Sequence, residues 1–282
     1  MRHGIVLFAS DRGITPAAAA RAAEQSGFDT FYVPEHTHIP VRRDAAHPGT
    51  GGADLPDDRY SRTLDPWVAL ATAAQNTSRI GLATAVALPV ESDPITLAKT
   101  IATLDHLSGG RVTLGAGFGW NTDELSDHQV PADRRRTVLR EYVEAMRALW
   151  TEDVAAYDGE FVSFGPSWAY PKPAQEHIPL VIGAGAGPKT FDWISQHADG
   201  WMTTPTETDL GPRAELLRKV WAEAGRTGRP RIHALATSRP TPELLGSWEE
   251  YGVTDAIWGL PDHSPEDVIA FIGRLAGKLD LS

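Results

Sequence analysis

The sequence of 282 residues contains no cysteine. It also contains no apolar run that approaches the length of roughly 18 residues needed to span a membrane. Without cysteine the chain can form no disulfide, no thiolate metal site and no cysteine nucleophile, and the cytoplasm is the expected location. The apolar stretch near the N-terminus is too short for the core of a signal peptide.

Positive charge is also scarce. The chain has 26 Lys and Arg against 37 Asp and Glu, which gives a net charge of -11. Because phosphate contacts need clustered basic residues, a broad nucleic-acid surface is not expected, and the acidity is interpreted as a contribution to solubility. The expected partner is a small-molecule substrate, with neither a nucleic acid nor a membrane.

A capping residue, a proline and a helical pattern follow one another repeatedly along the chain. Proline suits the first helical position because its missing N–H would have no partner there. Seven such helix starts are predicted, at Thr15-Pro16, Asp65-Pro66, Asp93-Pro94, Gly187-Pro188, Gly211-Pro212, Thr241-Pro242 and Ser264-Pro265. An eighth helix, without the proline, is predicted over residues 133–150.

Eight short apolar segments precede these helices and are predicted to be strands. They span residues 4–8, 30–33, 80–86, 111–117, 179–182, 200–203, 231–236 and 255–258. Strands that alternate with helices occur in doubly wound open sheets and in (β/α)8 barrels. The count of eight and the length of the chain favour the barrel, whose typical length is ~250 residues.

Three connections are longer than the short loops typical of such folds. Residues 35–64 follow the second strand and residues 118–132 follow the fourth, so both lie at the end of the barrel where active sites form. Residues 151–178 have a pattern typical of a small hairpin followed by a proline-rich turn. We therefore predict a single (β/α)8 TIM barrel over residues 1–282, with insertions after strands 2 and 4 and between helix 4 and strand 5.

The second strand ends in an acid and two imidazoles, Glu35, His36 and His38. At a barrel mouth these groups suit proton transfer. These residues could instead be polar loop residues without a chemical role, or the two histidines could form an H-x-H metal site like that of barrel hydrolases. The metal site is disfavoured because the fifth and sixth strand ends lack further ligands, and no metal is expected.

The fifth strand ends in small residues and runs into a helix. Exposed backbone N–H groups and a helix N-terminus together favour an anion. The spacing G-x-G-x-G is neither the dinucleotide fingerprint nor a P-loop. A phosphate-binding loop and a tight turn that binds nothing are equally compatible with this loop, which comprises Gly183, Ala184, Gly185, Ala186 and Gly187.

Other strand ends offer pocket walls. The third is apolar at Ala85 and Val86, and the fourth is rich in glycine before Trp120, whose ring can stack on a flat ligand. Phe8 and Trp258 end the first and eighth strands and are further candidates for a substrate pocket. The arginine run 134–136 is interpreted as a solvated helix start.

In their order and spacing, several segments resemble the luciferase-like monooxygenase superfamily, and most of all its branch that uses the deazaflavin coenzyme F420. The resemblance covers about the first two thirds of the chain. The matching segments are FYVPEHTHIP at 31–40, the run at 64–124 that contains LGAGFGWNTDE, REYVEAMRALW at 140–150, YDGEFVSF at 157–164 and IPLVIGAGAGP at 178–188.

The resemblance implies roles for individual residues. His36 would donate or accept a proton beside the cofactor ring, oriented or tuned by Glu35. Ala85 and Val86 would lie behind the ring, joined by a non-proline cis peptide bond. The glycine loop at 183–187 would hold the cofactor phosphate. Residues that line the substrate and ring pocket would include Trp120, Asn121 and Asp123.

The resemblance implies an F420-dependent oxidoreductase that transfers a hydride between reduced deazaflavin and a C=C, C=N or C=O group of a small organic substrate. An alternative is a monooxygenase that uses flavin mononucleotide (FMN), because both cofactors carry a phosphate and a tricyclic ring. A non-catalytic flavin-binding barrel and a metal hydrolase are further alternatives. By analogy a homodimer is expected, whereas the sugar-phosphate dehydrogenase role known in the superfamily is not, because no basic cluster marks such a substrate.

Overall fold

The computed structural model describes residues 1–206 and 209–281. Its strands are β1 (Arg2–Val6), β2 (Thr30–Val33), β3 (Gly81–Thr84), β4 (Val112–Gly117), β5 (Ala155–Asp158), β6 (Ser163–Ser167), β7 (Leu180–Gly183), β8 (Gly200–Met202), β9 (Arg231–Ala236) and β10 (Asp255–Gly259). All except β5 and β6 form one closed parallel barrel, in the order β1-β2-β3-β4-β7-β8-β9-β10 and back to β1. The predicted fold class is therefore confirmed.

The described helices alternate with these strands. They are α1 (Pro16–Gln25), α2 (Pro66–Gln75), α3 (Pro94–Ser108), α4 (Thr122–Asp127), α5 (Arg135–Thr151), α6 (Pro188–His197), α7 (Leu210–Glu223), α8 (Pro242–Glu250) and α9 (Pro265–Lys278). None of the described helices is long and apolar enough to cross a membrane.

The cap-and-proline signature marks most helix starts correctly. Five of the predicted caps use a side-chain oxygen to accept a hydrogen bond from a backbone N–H of the first turn, namely Thr15, Asp65, Asp93, Thr241 and Ser264. The start predicted at Gly211-Pro212 is wrong, because α7 begins at Leu210. Proline is tolerated there since no N–H of the first turn has an intrahelical partner.

The three predicted insertions differ in structure. The segment after β2 contains a 3-10 turn at Asp58–Arg62, and the segment after β4 contains the short helix α4, which was not predicted. The segment between α5 and β7 forms the antiparallel hairpin β5–β6, as predicted. The insertions after β2 and β4 both lie at the carboxyl ends of their strands, which is where the candidate site forms.

The barrel interior holds a small apolar cluster that is separate from the larger core between barrel and helices. Its buried members are Tyr32, Ala83, Val181, Met202 and Ile257. Each comes from a different strand, as expected where alternate residues of a barrel strand face inward. Val86 packs against this cluster from the bulged segment that follows β3.

Two glycines make room for the Val86 side chain. A Cβ added at Gly117 would lie 2.7 Å from Val86 Cγ2, and one added at Gly183 would overlap Val86 Cγ1. Gly183 was predicted to hold a cofactor phosphate. It is the last residue of β7, and its missing side chain leaves space for Val86. The part of the glycine loop that can act as an anion site narrows to residues 184–187.

We expect Gly183→Ala to destabilise the protein by about 1–3 kcal/mol, because the new methyl group must displace the stiff Val86 side chain. Urea unfolding measures this change. Gly187→Ala is the matched control, since its Cβ would meet no atom within 4 Å and its φ of 167° is extended backbone. Shortening Val86 to Ala in the Gly183→Ala background should recover part of the loss. Equal stability of the two alanine variants would contradict the packing role of Gly183.

Candidate active site at the barrel mouth

His36 is fixed by a carboxylate that is distant in sequence. Its Nδ1 lies 2.8 Å from Oε2 of Glu124, which is 88 residues further along the chain. The His36 side chain is 7% exposed and that of Glu124 is fully buried. The pair joins the insertion after β2 to helix α4 in the insertion after β4.

The remaining oxygen of Glu124 is also satisfied. The backbone N–H of Thr37 donates to Oε1 at 3.0 Å. Burial acts to raise the pKa of Glu124, but the hydrogen bonds from His36 and Thr37 outweigh it and hold that pKa below its usual value. An ionised Glu124 accepts the Nδ1 proton of His36, so Nε2 is the ring nitrogen left to exchange a proton.

Helix α4 is set by Asn121, which was predicted to line the substrate pocket. The structure instead buries this side chain to 1% exposure. Asn121 caps α4 by accepting from the Glu124 backbone N–H, and its Nδ2 donates to Glu124 Oε2 at 3.4 Å. Asn121 therefore positions the carboxylate that positions His36.

Aromatic rings surround His36. The Trp120 ring lies edge-on at 5.8 Å and the Tyr60 ring lies at 5.5 Å, measured between ring centroids. His47 packs edge-on against both Trp120 and Tyr60, and its Nε2 lies 2.9 Å from the Tyr60 hydroxyl. Phe8 stacks at 4.8 Å on Tyr60. The predicted pocket residues Phe8 and Trp120 therefore meet at one aromatic wall, to which His47 and Tyr60 were not predicted to contribute.

Glu35 has a different hydrogen-bond partner from its neighbour His36. Its buried carboxylate accepts a hydrogen bond of 2.5 Å from the Leu88 backbone N–H. Burial raises the pKa of Glu35 to about 7 against the opposing effect of that N–H, and the charges of Asp65 and Glu124 add to the rise. Glu35 was predicted to orient or tune His36. The orienting role is wrong, because the hydrogen bond that fixes the His36 ring is made with Glu124.

Asp123 and Trp258 do not line this pocket. The Asp123 carboxylate accepts hydrogen bonds of 2.9 Å from the backbone N–H groups of Asp44 and Ala45, and so ties the two insertions together. Trp258 is buried against Trp248 of α8, at 5.9 Å between ring centroids. It faces the helices because its neighbour Ile257 faces the barrel interior.

The peptide bond between Ala85 and Val86 is cis, as predicted. It lies directly after β3, where the chain leaves the regular strand. The backbone returns to the barrel immediately, since the Ala87 N–H donates to Gly115 O and the Gly117 N–H donates to Ala87 O, both at 2.8 Å.

The rest of the glycine loop leads into α6. The Ala184 carbonyl accepts a hydrogen bond of 2.7 Å from Trp201 Nε1, which anchors the start of the loop. Gly185 is exposed, and Gly187 is the last residue before the first turn of the helix. The loop is thus open at its tip and ends at a helix N-terminus, where partial positive charge favours an anion.

A guanidinium group lies beside this helix start. Arg136, on α5, donates to Lys189 O at 3.2 Å and to Thr190 Oγ1 at 3.1 Å. Its guanidinium also lies 4.5 Å from the centroid of the Phe118 ring. The interpretation of the arginine run as a solvated face is therefore wrong for Arg136, which brings a positive charge to the loop.

Several histidines lie near the mouth, but His36 and His38 are not bound to a common carboxylate. His38 Nε2 lies 2.9 Å from Asp127 Oδ2, so His36 and His38 have different carboxylate partners. Within residues 1–206 and 209–281, no three His, Asp or Glu side chains converge in a way that could hold a metal ion.

The profile of one protein family, described as luciferase-like monooxygenase, matches residues 15–258. The chain belongs to this family. The match spans β2 to β10 and so includes the strand ends that carry His36, Glu124 and the glycine loop. Oxidoreductase chemistry is therefore the class of activity that the family supports.

Several known proteins are similar to this chain. An uncharacterized protein of Mycobacterium tuberculosis (strain ATCC 25618 / H37Rv) is 66% identical over 99% of both chains. An F420-dependent glucose-6-phosphate dehydrogenase of Segniliparus rotundus is 32% identical over 72% of this chain and 59% of its own. The crystal structure of a monooxygenase from Streptomyces bottropensis has a TM-score of 0.76 at 22% identity, over 99% of this chain and 98% of its own.

The raised pKa of Glu35 predicts a pH-dependent stability. Between the ordinary glutamate value near 4.5 and about 7, the folded chain keeps a proton that the unfolded chain has lost. Folding is therefore favoured at the acid end of this window, and this contribution is lost as the pH rises through it. Glu35→Gln cannot ionise, so its stability relative to the original chain should rise by about 3 kcal/mol across the window.

Urea unfolding of both proteins from pH 4.5 to 8 measures the difference. Titrating groups distant from Glu35 contribute equally to both proteins, so their contributions cancel in the difference. A difference in unfolding free energy that stays constant over this range would contradict the buried, protonated state of Glu35.

Proposed function

We propose that this protein is an F420-dependent oxidoreductase that transfers a hydride between reduced deazaflavin and a C=C, C=N or C=O group of a small organic substrate. The observation that carries the proposal is the buried His36–Glu124 pair beside an aromatic wall at the barrel mouth. The family and the F420-dependent relative support the choice of cofactor. The bound deazaflavin would supply the hydride chemistry.

The residues present fit such a cofactor at two places. Residues 184–187 and the N-terminus of α6 form an open loop that can accept a phosphate, with Arg136 adjacent. Apolar side chains at the carboxyl end of β3, Ala85 and Val86, pack on the barrel interior and offer a wall for a flat ring. These residues would hold the phosphate and support the ring, respectively.

His36 would carry the proton that accompanies the hydride. Glu124 holds its Nδ1, so the proton is taken up or released at Nε2. Trp120 and Tyr60 pack on the ring of His36 and limit its movement, and they also exclude water from the space around it. A carboxylate that is ionised and buried stabilises the imidazolium form of His36 when the proton is held there.

The runner-up is an FMN-dependent monooxygenase. The family description and the similarity of fold to the Streptomyces bottropensis monooxygenase favour it. Both cofactors need a phosphate site and a flat wall, so the geometry of the mouth serves either one. A non-catalytic flavin-binding barrel is disfavoured because it would not need a buried acid–base pair. We also propose a homodimer, by analogy with the superfamily.

The sugar phosphate of the Segniliparus rotundus enzyme is not part of the proposal. Two arginines near the mouth are already paired with aspartates: Arg59 with Asp57 at 2.8 Å, and Arg62 with Asp11 at 2.5 Å. Because their charges are balanced within the protein, they offer little attraction to a second phosphate. A neutral or weakly charged organic substrate fits the aromatic wall better.

We expect purified protein to bind F420 more tightly than FMN. Fluorescence titration of the protein with each cofactor measures the two dissociation constants under the same conditions. FMN that bound as tightly as F420, or that copurified in stoichiometric amount, would contradict the deazaflavin assignment and favour the monooxygenase.

Arg136→Gln should weaken F420 binding about tenfold, which corresponds to ~1.4 kcal/mol, because it removes a cation beside the phosphate site. Arg134→Gln is the matched control, since Arg134 lies two residues earlier and pairs with the exposed Glu160. The titration used for the original chain serves both variants. Equal losses in both variants, or no loss in either, would place the phosphate elsewhere.

A further inference from the structure

A second buried carboxyl group lies behind Glu124. The Glu91 side chain is 1% exposed, and it belongs to the segment that connects β3 to α3. The two carboxyl groups are adjacent: the Thr37 hydroxyl lies between them, 3.3 Å from Glu91 Oε2 and 3.5 Å from Glu124 Oε1. Three carboxyl groups, those of Glu35, Glu91 and Glu124, therefore occupy the wall beside His36.

The hydrogen-bond partners of Glu91 indicate where its proton resides. Oε2 accepts from the Thr37 hydroxyl at 3.3 Å. Oε1 is buried and meets no hydrogen-bond donor among residues 1–206 and 209–281. A buried carboxyl oxygen without a donor is costly for an ionised group, so Glu91 is best explained as a protonated carboxylic acid.

Electrostatics agrees with this placement. Two adjacent buried carboxyl groups cannot both ionise without a large cost, so such pairs share one proton. Burial has the largest effect in raising the pKa of Glu91, and the charge of Glu124 has the second largest. Glu124 is the partner that stays ionised, because His36 and the Thr37 N–H stabilise its charge.

Glu91 can exchange its proton without passing through the mouth. A cleft of about 440 Å³ on the outside of the barrel is lined by Glu91, His128, Tyr142 and Ser163, among others. His128, whose side chain is 27% exposed, has its Nε2 4.0 Å from Glu91 Oε2. None of the aromatic residues that surround His36 lines this cleft. The pair therefore has its own route to solvent.

Other charged and titratable groups face this cluster from the surrounding elements. Glu35 faces Glu91 and Glu124 from the β2 side. His47 and Tyr60 face His36 from the mouth, and His38, Asp127 and His128 face the outer side.

We infer that Glu91 is a positioning residue for His36: a single proton bridges Glu91 and Glu124, and its loss doubles the negative charge that acts on the His36 ring through Glu124. While the proton is present, Glu124 carries one charge and holds one tautomer of His36. When the proton leaves through the outer cleft, the Glu91–Glu124 pair gains a second negative charge. This change next to His36 needs no movement of the aromatic residues at the mouth. The catalytic meaning of this control rests on the proposed function, but the shared proton does not.

Nuclear magnetic resonance of the full-length, isotope-labelled protein tests the inference without any cofactor. The ring nitrogens of His36 report its tautomer and its electrostatic surroundings. The neutral ring should be the Nδ1–H tautomer, because Nδ1 faces Glu124. In the alkaline range its nitrogen shifts should show a further step as the Glu91–Glu124 pair loses its proton.

Glu91→Gln should abolish the alkaline step and keep the His36 tautomer, because the amide can still donate to Glu124 but cannot titrate. Glu35→Gln is the matched control: it removes another buried carboxyl group of the same wall, whose hydrogen bond goes to Leu88 instead, and should leave the alkaline step in place. Persistence of the step in Glu91→Gln, or its loss in Glu35→Gln, would overturn the inference.

The carboxyl carbons of the unsubstituted protein give a second test that does not depend on a variant's folding. One glutamate beyond Glu35 should remain protonated above pH 7, and its titration should coincide with the alkaline step of His36. If every other glutamate carboxyl is ionised by pH 7, the inference fails. Failure of F420 to bind would not affect either measurement, so the inference and the proposed function can fail separately.

Discussion

The hydrogen bond between His36 and Glu124 is the interaction on which the mouth of the barrel depends. It joins two insertions that follow different strands, and it does so with groups that are 7% exposed and fully buried. The charge of Glu124 could not be kept there without partners, because an unpaired buried charge costs several kcal/mol. The Asn121 cap and the Thr37 N–H complete the shell around Glu124. The position of His36 therefore depends on a polar network inside an otherwise apolar and aromatic wall.

A packing constraint shapes the same end of the barrel. Val86 enters the interior from the bulge after β3 and occupies the space that Gly117 and Gly183 leave free. Gly117 and Gly183 belong to the glycine-rich segments that suggested a ligand site. Their role in the structure is to leave space for a packed side chain. The open glycines lie further along, at 185 and 187, where the loop meets α6 and Arg136. One glycine-rich segment combines a structural part and a part that suits an anion.

Much of the fold could be predicted because its signals are local. A cap such as Asp93 followed by Pro94 specifies a helix start through contacts within one turn. Helix α4 could not be predicted, since five of its six residues are polar and a single leucine shows no apolar periodicity. The helix depends on the Asn121 cap and on the distant partner of Glu124. Family resemblance correctly predicted the cis bond at Ala85-Val86.

The site was predicted less well, because its contacts are distant in sequence. His36 was identified from its place at a strand end, but its partner lies 88 residues away. The acid next to it in the chain, Glu35, instead accepts a hydrogen bond from the Leu88 N–H. Arg136 reaches Thr190 across 54 residues. For Trp258, the period of a strand predicts that it and Ile257 face opposite sides, but not which one faces inward.

A crystal structure of the complex with F420 would show whether the cofactor binds at the barrel mouth. We expect the deazaflavin ring to lie against Val86 with its reactive face towards His36, and the phosphate to lie at residues 184–187 beside Arg136. A ring bound away from His36, or a phosphate bound away from the start of α6, would contradict this expectation.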